Sequence, residues 1–288
     1  MPQLRGFTLV EMIVAITITG IVAVMVAVFL KSPVEGYVAS ARRAWLTDVA
    51  DTALRRIARD VQAALPNSLR PNSACEASGT TVCGLELLLT TTGGRYSQDA
   101  AEDCFSSGCT SLSTLGSVIA ADDELKGQHL VIYNLHNNDG GSCSASYPSA
   151  YCGAGSNNRA QISGSTDGGN SDSFSFDSTV FRPATGSPSR SFFIVSGPVA
   201  YACSGVGVSG GNGTGELRRY QGYAIAATPS WPPTGASGRL LAHRVSACRL
   251  NYAPAAAGTN GLLELYLEIM EGGERVGLYH EVHVDNAP

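Results

Sequence analysis

The chain has almost no lysine. Lys31 and Lys126 are the only two among 288 residues, and the other 17 basic side chains are arginines. Charge of either sign is scarce, 15% against about 25% in ordinary soluble domains. A formal net charge of −5 with no lysine-rich run argues against a nucleic-acid binder held by a basic surface. There is no G-x-x-x-x-G-K, so the chain is not an ATP-driven motor. There is no C-x-x-C, which weakens zinc or redox catalysis. What is present is a hydrophobic fraction of 44%, enough for a core and too much for wholesale disorder. Eight cysteines in such a chain speak for an oxidising compartment and against the cytosol.

The apolar residues are concentrated at one end. From Met12 to Leu30 run 19 residues without a charge or a proline. As a helix rising ~1.5 Å per residue they cover about 28 Å, close to the ~30 Å hydrocarbon core of a bilayer. Arg5 on the N-terminal side places that end in the cytoplasm, and Lys31 can snorkel at the other interface. A secretory signal has a shorter apolar region and a small-residue cleavage site, which Ala27-Val28-Phe29-Leu30-Lys31 lacks. A plain anchor has no use for Glu11, since a charge in mid-bilayer costs at least about 2.5–3.5 kcal/mol.

Arg5-Gly6-Phe7-Thr8-Leu9-Val10-Glu11 resembles the processing site of type IV prepilins and type II secretion pseudopilins. The resemblance implies a leader of residues 1–6, cleavage between Gly6 and Phe7 by a membrane peptidase, and N-methylation of Phe7 by the same enzyme. Glu11 then becomes the fifth residue of the mature chain, and its carboxylate can neutralise the Phe7 ammonium on its own or a neighbouring subunit. Such a buried pair also fixes axial register.

Residues 7–30 are then a transmembrane and filament-core helix, and 31–65 its amphipathic continuation. Val34, Val38, Ala41, Trp45, Val49, Ala53, Ile57, Val61 and Leu65 recur at helical spacing. Arg42, Arg43, Asp48, Asp51, Arg55, Arg56, Arg59 and Asp60 occupy the opposite side, and the interleaved acids make this a solvated face, not a DNA-contacting stripe. Pro33 is expected to kink the helix and Pro66 to close it.

Residues 66–288 read as a β-rich head. Strands are expected at Leu85–Thr90, Gln128–Asn134, Phe174–Val180, Phe192–Ser196, Val199–Cys203, Leu217–Tyr223 and Arg239–Tyr252. The clearest signal is a hairpin, with alternation over Leu263–Met270 and Val276–Val284 either side of Glu271-Gly272-Gly273-Glu274. A helix followed by antiparallel sheets is an α+β fold. Long polar loops are expected at 136–173 and 204–216. Cys75, Cys83, Cys104, Cys109, Cys143, Cys152, Cys203 and Cys248 admit 105 connectivities. Pairing in sequence order is the preferred one, as structural disulfides.

Other candidates are weaker. Gly207-Val208-Ser209-Gly210-Gly211 fits G-x-S-x-G, but a nucleophile elbow needs a helix next, and Asn212-Gly213-Thr214-Gly215 follows. His280-Glu281-Val282-His283 on a strand sends its two imidazoles to opposite faces. Asp167, Asn170 and Asp172 form a polar turn more readily than a calcium site. Trp231 in Ser230-Trp231-Pro232-Pro233 is a rigid loop residue or an adhesive platform. No catalytic group converges, and no cofactor or metal is expected.

Val199–Cys203, Leu217–Tyr223, the ending His280–Pro288 and the corner Ala64–Ser68 are similar to the MshO-type minor pilins of the mannose-sensitive haemagglutinin (MSHA) pilus. The likeness covers residues 1–70 and about 190–288. It implies a non-enzymatic subunit anchored in the inner membrane by its one N-terminal helix, head in the periplasm, then carried to the cell surface in a pilus. Its implied partners are the prepilin peptidase/methyltransferase, other major and minor pilins and the inner-membrane assembly platform. A role at the tip in assembly initiation and adhesion is expected. A more distant likeness is to the J-type minor pseudopilin of type II secretion.

Overall fold

A computed structural model describes residues 8–72, 82–97, 103–138, 143–144, 146–153, 157–254 and 260–287. One helix, α1 (Leu9–Gln62), leads the chain. At ~1.5 Å per residue it is about 80 Å long. Thr8 caps it, its hydroxyl accepting from the Glu11 N–H at 3.3 Å. The helix runs through Pro33 as one element, and Ala63 ends it.

The corner after α1 leads into β1 (Arg70–Pro71) and β2 (Cys83–Arg95). Then come β3 (Cys109–Ser113), β4 (His129–Ile132), β5 (Arg159–Thr166), β6 (Ser173–Thr179) and β7 (Ser191–Ser204). A small hairpin, β8 (Val208–Ser209) and β9 (Asn212–Gly213), precedes β10 (Gly215–Gln221), β11 (Ser237–Ala253), β12 (Gly261–Glu271) and β13 (Glu274–Val284). The large sheet runs β13-β12-β11-β10-β7-β4-β5-β6-β3, with β2 on β7 and β1 on β2. Every strand pair is antiparallel. The architecture is α+β and pilin-like: a long apolar helix packed on an antiparallel head.

The head has two lobes. In the first, the C-terminal half of α1 lies on β2, β7 and β10–β13. Leu46, Ala50, Ala53, Leu54, Ile57, Ala58 and Val61 meet Leu85, Tyr201, Leu217, Val245, Leu265 and Val282 among others. The alanines let the helix approach the sheet closely. In the second lobe, Leu112, Leu130, Ile162, Phe174, Phe176, Phe181, Phe192 and Ile194 form a separate core. The strand β7 serves both lobes, its start pairing β4 and its end pairing β10. The second lobe is an insertion between paired neighbours: the chain leaves β2 at Arg95 and re-enters β7 at Ser191, which are cross-strand partners. A third cluster of Leu65, Leu88, Val131, Ala150, Tyr151 and Val195 joins the lobes.

Several expectations need correction. The stretch 136–173 is not all loop, since it contains β5. Only Ala160 and Ile162 are apolar there, and pairing to β4 and β6 overrides a poor strand composition. The stretch 204–216 holds the β8–β9 hairpin and the start of β10. The two segments Phe192–Ser196 and Val199–Cys203 are one strand, β7, because Gly197 (φ 134°) carries it past Pro198 beside a bulge at Ser196. The hairpin turn at Gly272 and Gly273 has φ of 58° and 84°, the pair of positive values that a tight two-residue turn requires.

The expected apolar face of α1 is also revised. Val34, Val38 and Trp45 are exposed, and burial begins only at Leu46. Asp60, placed on the solvated face, is buried.

Candidate assembly site

The exposed half of α1 is the candidate site. Leu9 to Leu30 presents large apolar side chains to solvent along its whole length, Leu9 and Phe29 each 77% exposed. Nothing in the head covers it, and this is the one helix among the described residues long and apolar enough to cross a membrane. Its polar groups are dealt with locally. Thr17 donates to the carbonyls of Ile13 (3.0 Å) and Val14 (2.9 Å), and Thr19 to that of Ala15 (2.7 Å). Hydroxyls bonded back to their own helix are compatible with an apolar surrounding.

Glu11 is the exception. It stands at the third helical position after the Thr8 cap, where the helix dipole favours a carboxylate. It is exposed on the same apolar cylinder. The next acidic residue along the helix, Glu35, is engaged by Lys31 at 3.9 Å. Gly6 and Phe7, the expected cleavage and methylation residues, lie outside the described residues.

Residues 1–27 match the prokaryotic N-terminal methylation motif. It is the N-methylation motif of prokaryotic pilin-type proteins. The chain is therefore pilin-like at its N-terminus, a feature that implies processing by a prepilin peptidase and assembly with other pilins, and that points to a structural subunit. No curated protein and no solved structure matches the chain.

A pilin-type spine must be fixed to its head, and two buried polar networks do this. Asp60 accepts from Tyr201 Oη at 2.6 Å and from Arg219 Nε at 2.7 Å. The Arg56 guanidinium lies 3.6 Å away on the next turn. Burial, then the Asp60 carboxylate, push the Tyr201 phenol above its usual range. At the corner, Arg70 pairs with Glu86, donates to the carbonyls of Ala226 and Ala227, and stacks 3.5 Å over Tyr151. Tyr223 donates to Glu86 at 2.7 Å and Tyr151 to Ser68 at 2.9 Å. Neither network was read from the sequence. Arg56 and Asp60 read only as members of the solvated face of the helix.

The remaining candidates separate as follows. Arg43 bridges Glu274 at 2.8 Å and Arg55 bridges Asp51 at 2.7 Å, so the arginine stripe is partly engaged. Cys104–Cys109, Cys143–Cys152 and Cys203–Cys248 are bonded, with Cα separations of 4.6, 5.6 and 6.4 Å. Cys83 is disulfide-bonded, and Cys75 lies outside the described residues. Gly207–Gly211 forms β8 and its turn. His280 is half-buried and His283 exposed on β13. Asp172 is buried, its carboxylate accepting from the N–H groups of Val118 and Ile119, while Asp167 accepts from Gly169. These are the bonds of a closed polar turn. Trp231 packs directly over Gly84, where a Cβ would come within 2.2 Å of the indole.

Proposed function

We propose that the chain is a minor pilin, a structural subunit of an MSHA-like type IV pilus. Its parts are a leader of residues 1–6, a membrane and filament-core helix of 7–30, an amphipathic segment of 31–65 and a head of 66–288. The observation that carries this reading is the naked half of α1: an uncovered apolar cylinder with one carboxylate near its capped end. In the filament, Glu11 neutralises the N-methylated Phe7 ammonium, two charges otherwise isolated in an apolar core. The two-lobed head on a single spine supports a place at the pilus tip, in assembly initiation and adhesion, since a bulky head repeated along a shaft would crowd its neighbours.

Before assembly the subunit sits in the inner membrane with its head in the periplasm, and the assembly platform delivers it to major and other minor pilins. The test is incorporation of Glu11→Ala: cleavage continues, and the variant is depleted from sheared filaments. Incorporation at the wild-type level rejects the ion-pair account, and immunogold label spread evenly along filaments rejects the tip.

A type II secretion pseudopilin of J type is the second reading, favoured by the same helix and stacked-sheet head. Loss of the gene would then block export of secreted proteins and leave surface pili intact. As a tip adhesin, the chain would use loops other than the one holding Trp231, whose ring is committed to Gly84.

A further inference from the structure

Two disulfides of the head lie side by side. Cys83 on β2 and Cys203 on β7 are direct cross-strand partners. Both are buried in the core that α1 covers, with the alternate residues Leu85, Leu87, Val199 and Tyr201 of the same two strands. The two sulfurs therefore stand on one face of the sheet. Facing residues of an antiparallel pair have Cα atoms about 4.5–5.5 Å apart, inside the span that a disulfide bridges. Cys203 is nevertheless bonded to Cys248 on β11, with Cα atoms 6.4 Å apart. Cys83 is bonded elsewhere, and Cys75 is the one cysteine that the sequence leaves for it.

We propose that Cys83–Cys203 is a second disulfide state of the head, reached from the first by thiol–disulfide exchange, so that the pair of bonds is a redox-sensitive switch. A small dithiol opens the bond of Cys83. The dithiol is oxidised to its own disulfide, and Cys83 and its former partner become thiols. The Cys83 thiolate then attacks Cys203 Sγ. The Cys83–Cys203 bond forms as the Cys203–Cys248 bond breaks, and Cys248 leaves as a thiolate that takes a proton from water. One thiol and one disulfide enter this step and one of each leaves it, so the exchange itself consumes no oxidant.

The fold has already prepared the exchange. β2 and β7 are in register at this row, so no strand pairing has to change. The two states differ in what they tie. Cys203–Cys248 joins β7 to β11, which are not neighbours in the sheet. Cys83–Cys203 joins strands that the ladder already holds. Switching therefore unties β11 from β7 and turns the half-buried Cys248 into a free thiol.

The test is disulfide mapping of Cys75→Ser, as the full chain in detergent. The protein is equilibrated without oxidant, quenched in acid, alkylated with N-ethylmaleimide in denaturant and mapped by peptide mass. A Cys83–Cys203 peptide is expected, with alkylated Cys248 in equal amount. Alkylated Cys83 with Cys203 still wholly on Cys248 overturns the proposal, as does Cys83 joined to any other cysteine. If Cys75→Ser does not fold, the wild-type chain opened with limiting dithiothreitol provides the same readout. Alkylated Cys75 and Cys248 are then expected to accumulate together, and alkylated Cys75 and Cys83 with Cys203–Cys248 intact overturns it. The initial rate of exchange is expected to rise about tenfold per pH unit below the thiol pKa, because the thiolate is the nucleophile. A rate independent of pH overturns the proposed attack by Cys83.

Discussion

At the scale of single residues, the decisive groups are those whose partners are far away in sequence. Asp60 and Arg219 are separated by 159 positions, and nothing local in either segment announces the pair. Removing one partner of a buried ion pair leaves the other charge stranded. Asp60→Asn is therefore expected to cost about 3–5 kcal/mol, read as a shift in the denaturant midpoint at unchanged slope. His129 supplies a pH signature. Its pKa falls from 6.5 to about 4 on folding, through burial and the Arg159 charge. Between those values the unfolded state holds more protons than the folded one, so stability is lost as pH falls from about 6.5 towards 4. In His129→Gln this part of the loss disappears, visible as a flatter melting temperature against pH. At the N-terminus the opposite holds. The methylation motif was legible because its residues are contiguous, and Glu11 stands out because a carboxylate contradicts the apolar run around it.

At the scale of elements, α1 changes character at Leu46. Before the contacts of Arg42 and Arg43 with the β12–β13 turn the helix meets solvent all round, and from Leu46 onward one face meets the sheet. Periodicity identified the helix and misplaced this boundary, because an apolar stripe looks the same whether it faces its own head or something else. Packing on the docked part depends on small side chains. Ala53→Leu is expected to destabilise the protein by about 1–3 kcal/mol through overpacking, whereas Arg43→Ala at the exposed Glu274 bridge should cost at most about 1 kcal/mol. Chemical denaturation of both variants distinguishes the two contributions. The strands divide in the same way. The β12–β13 hairpin declared itself by alternation and a Gly-Gly turn, both local features. Strand β5 did not, since its Ser, Gly and Thr residues become a strand only by being paired on both sides.

For the whole molecule, the question is whether two lobes make two units. The corner after α1 answers it. Asn67 donates to the carbonyls of Asn134 and Asn286, and Asn134 donates to that of Pro66. Helix end, inserted lobe and C-terminus are thus tied at one point, beside the shared cluster around Tyr151. Thermal unfolding should be a single transition with calorimetric and van't Hoff enthalpies in agreement, and two resolved peaks would contradict it.

The same layout orders events in time. The face of α1 from Leu46 to Val61 is made first, yet most of its partners belong to β7 and β10–β13, the last strands to emerge. Until then that face has nothing to rest on, and closing β2 onto β7 across the whole insertion is entropically slow unless the inserted lobe has already drawn the two ends together. A nascent chain therefore carries two sticky surfaces on one helix, one that stays uncovered in the finished chain and one that must be shielded until the final hairpin arrives.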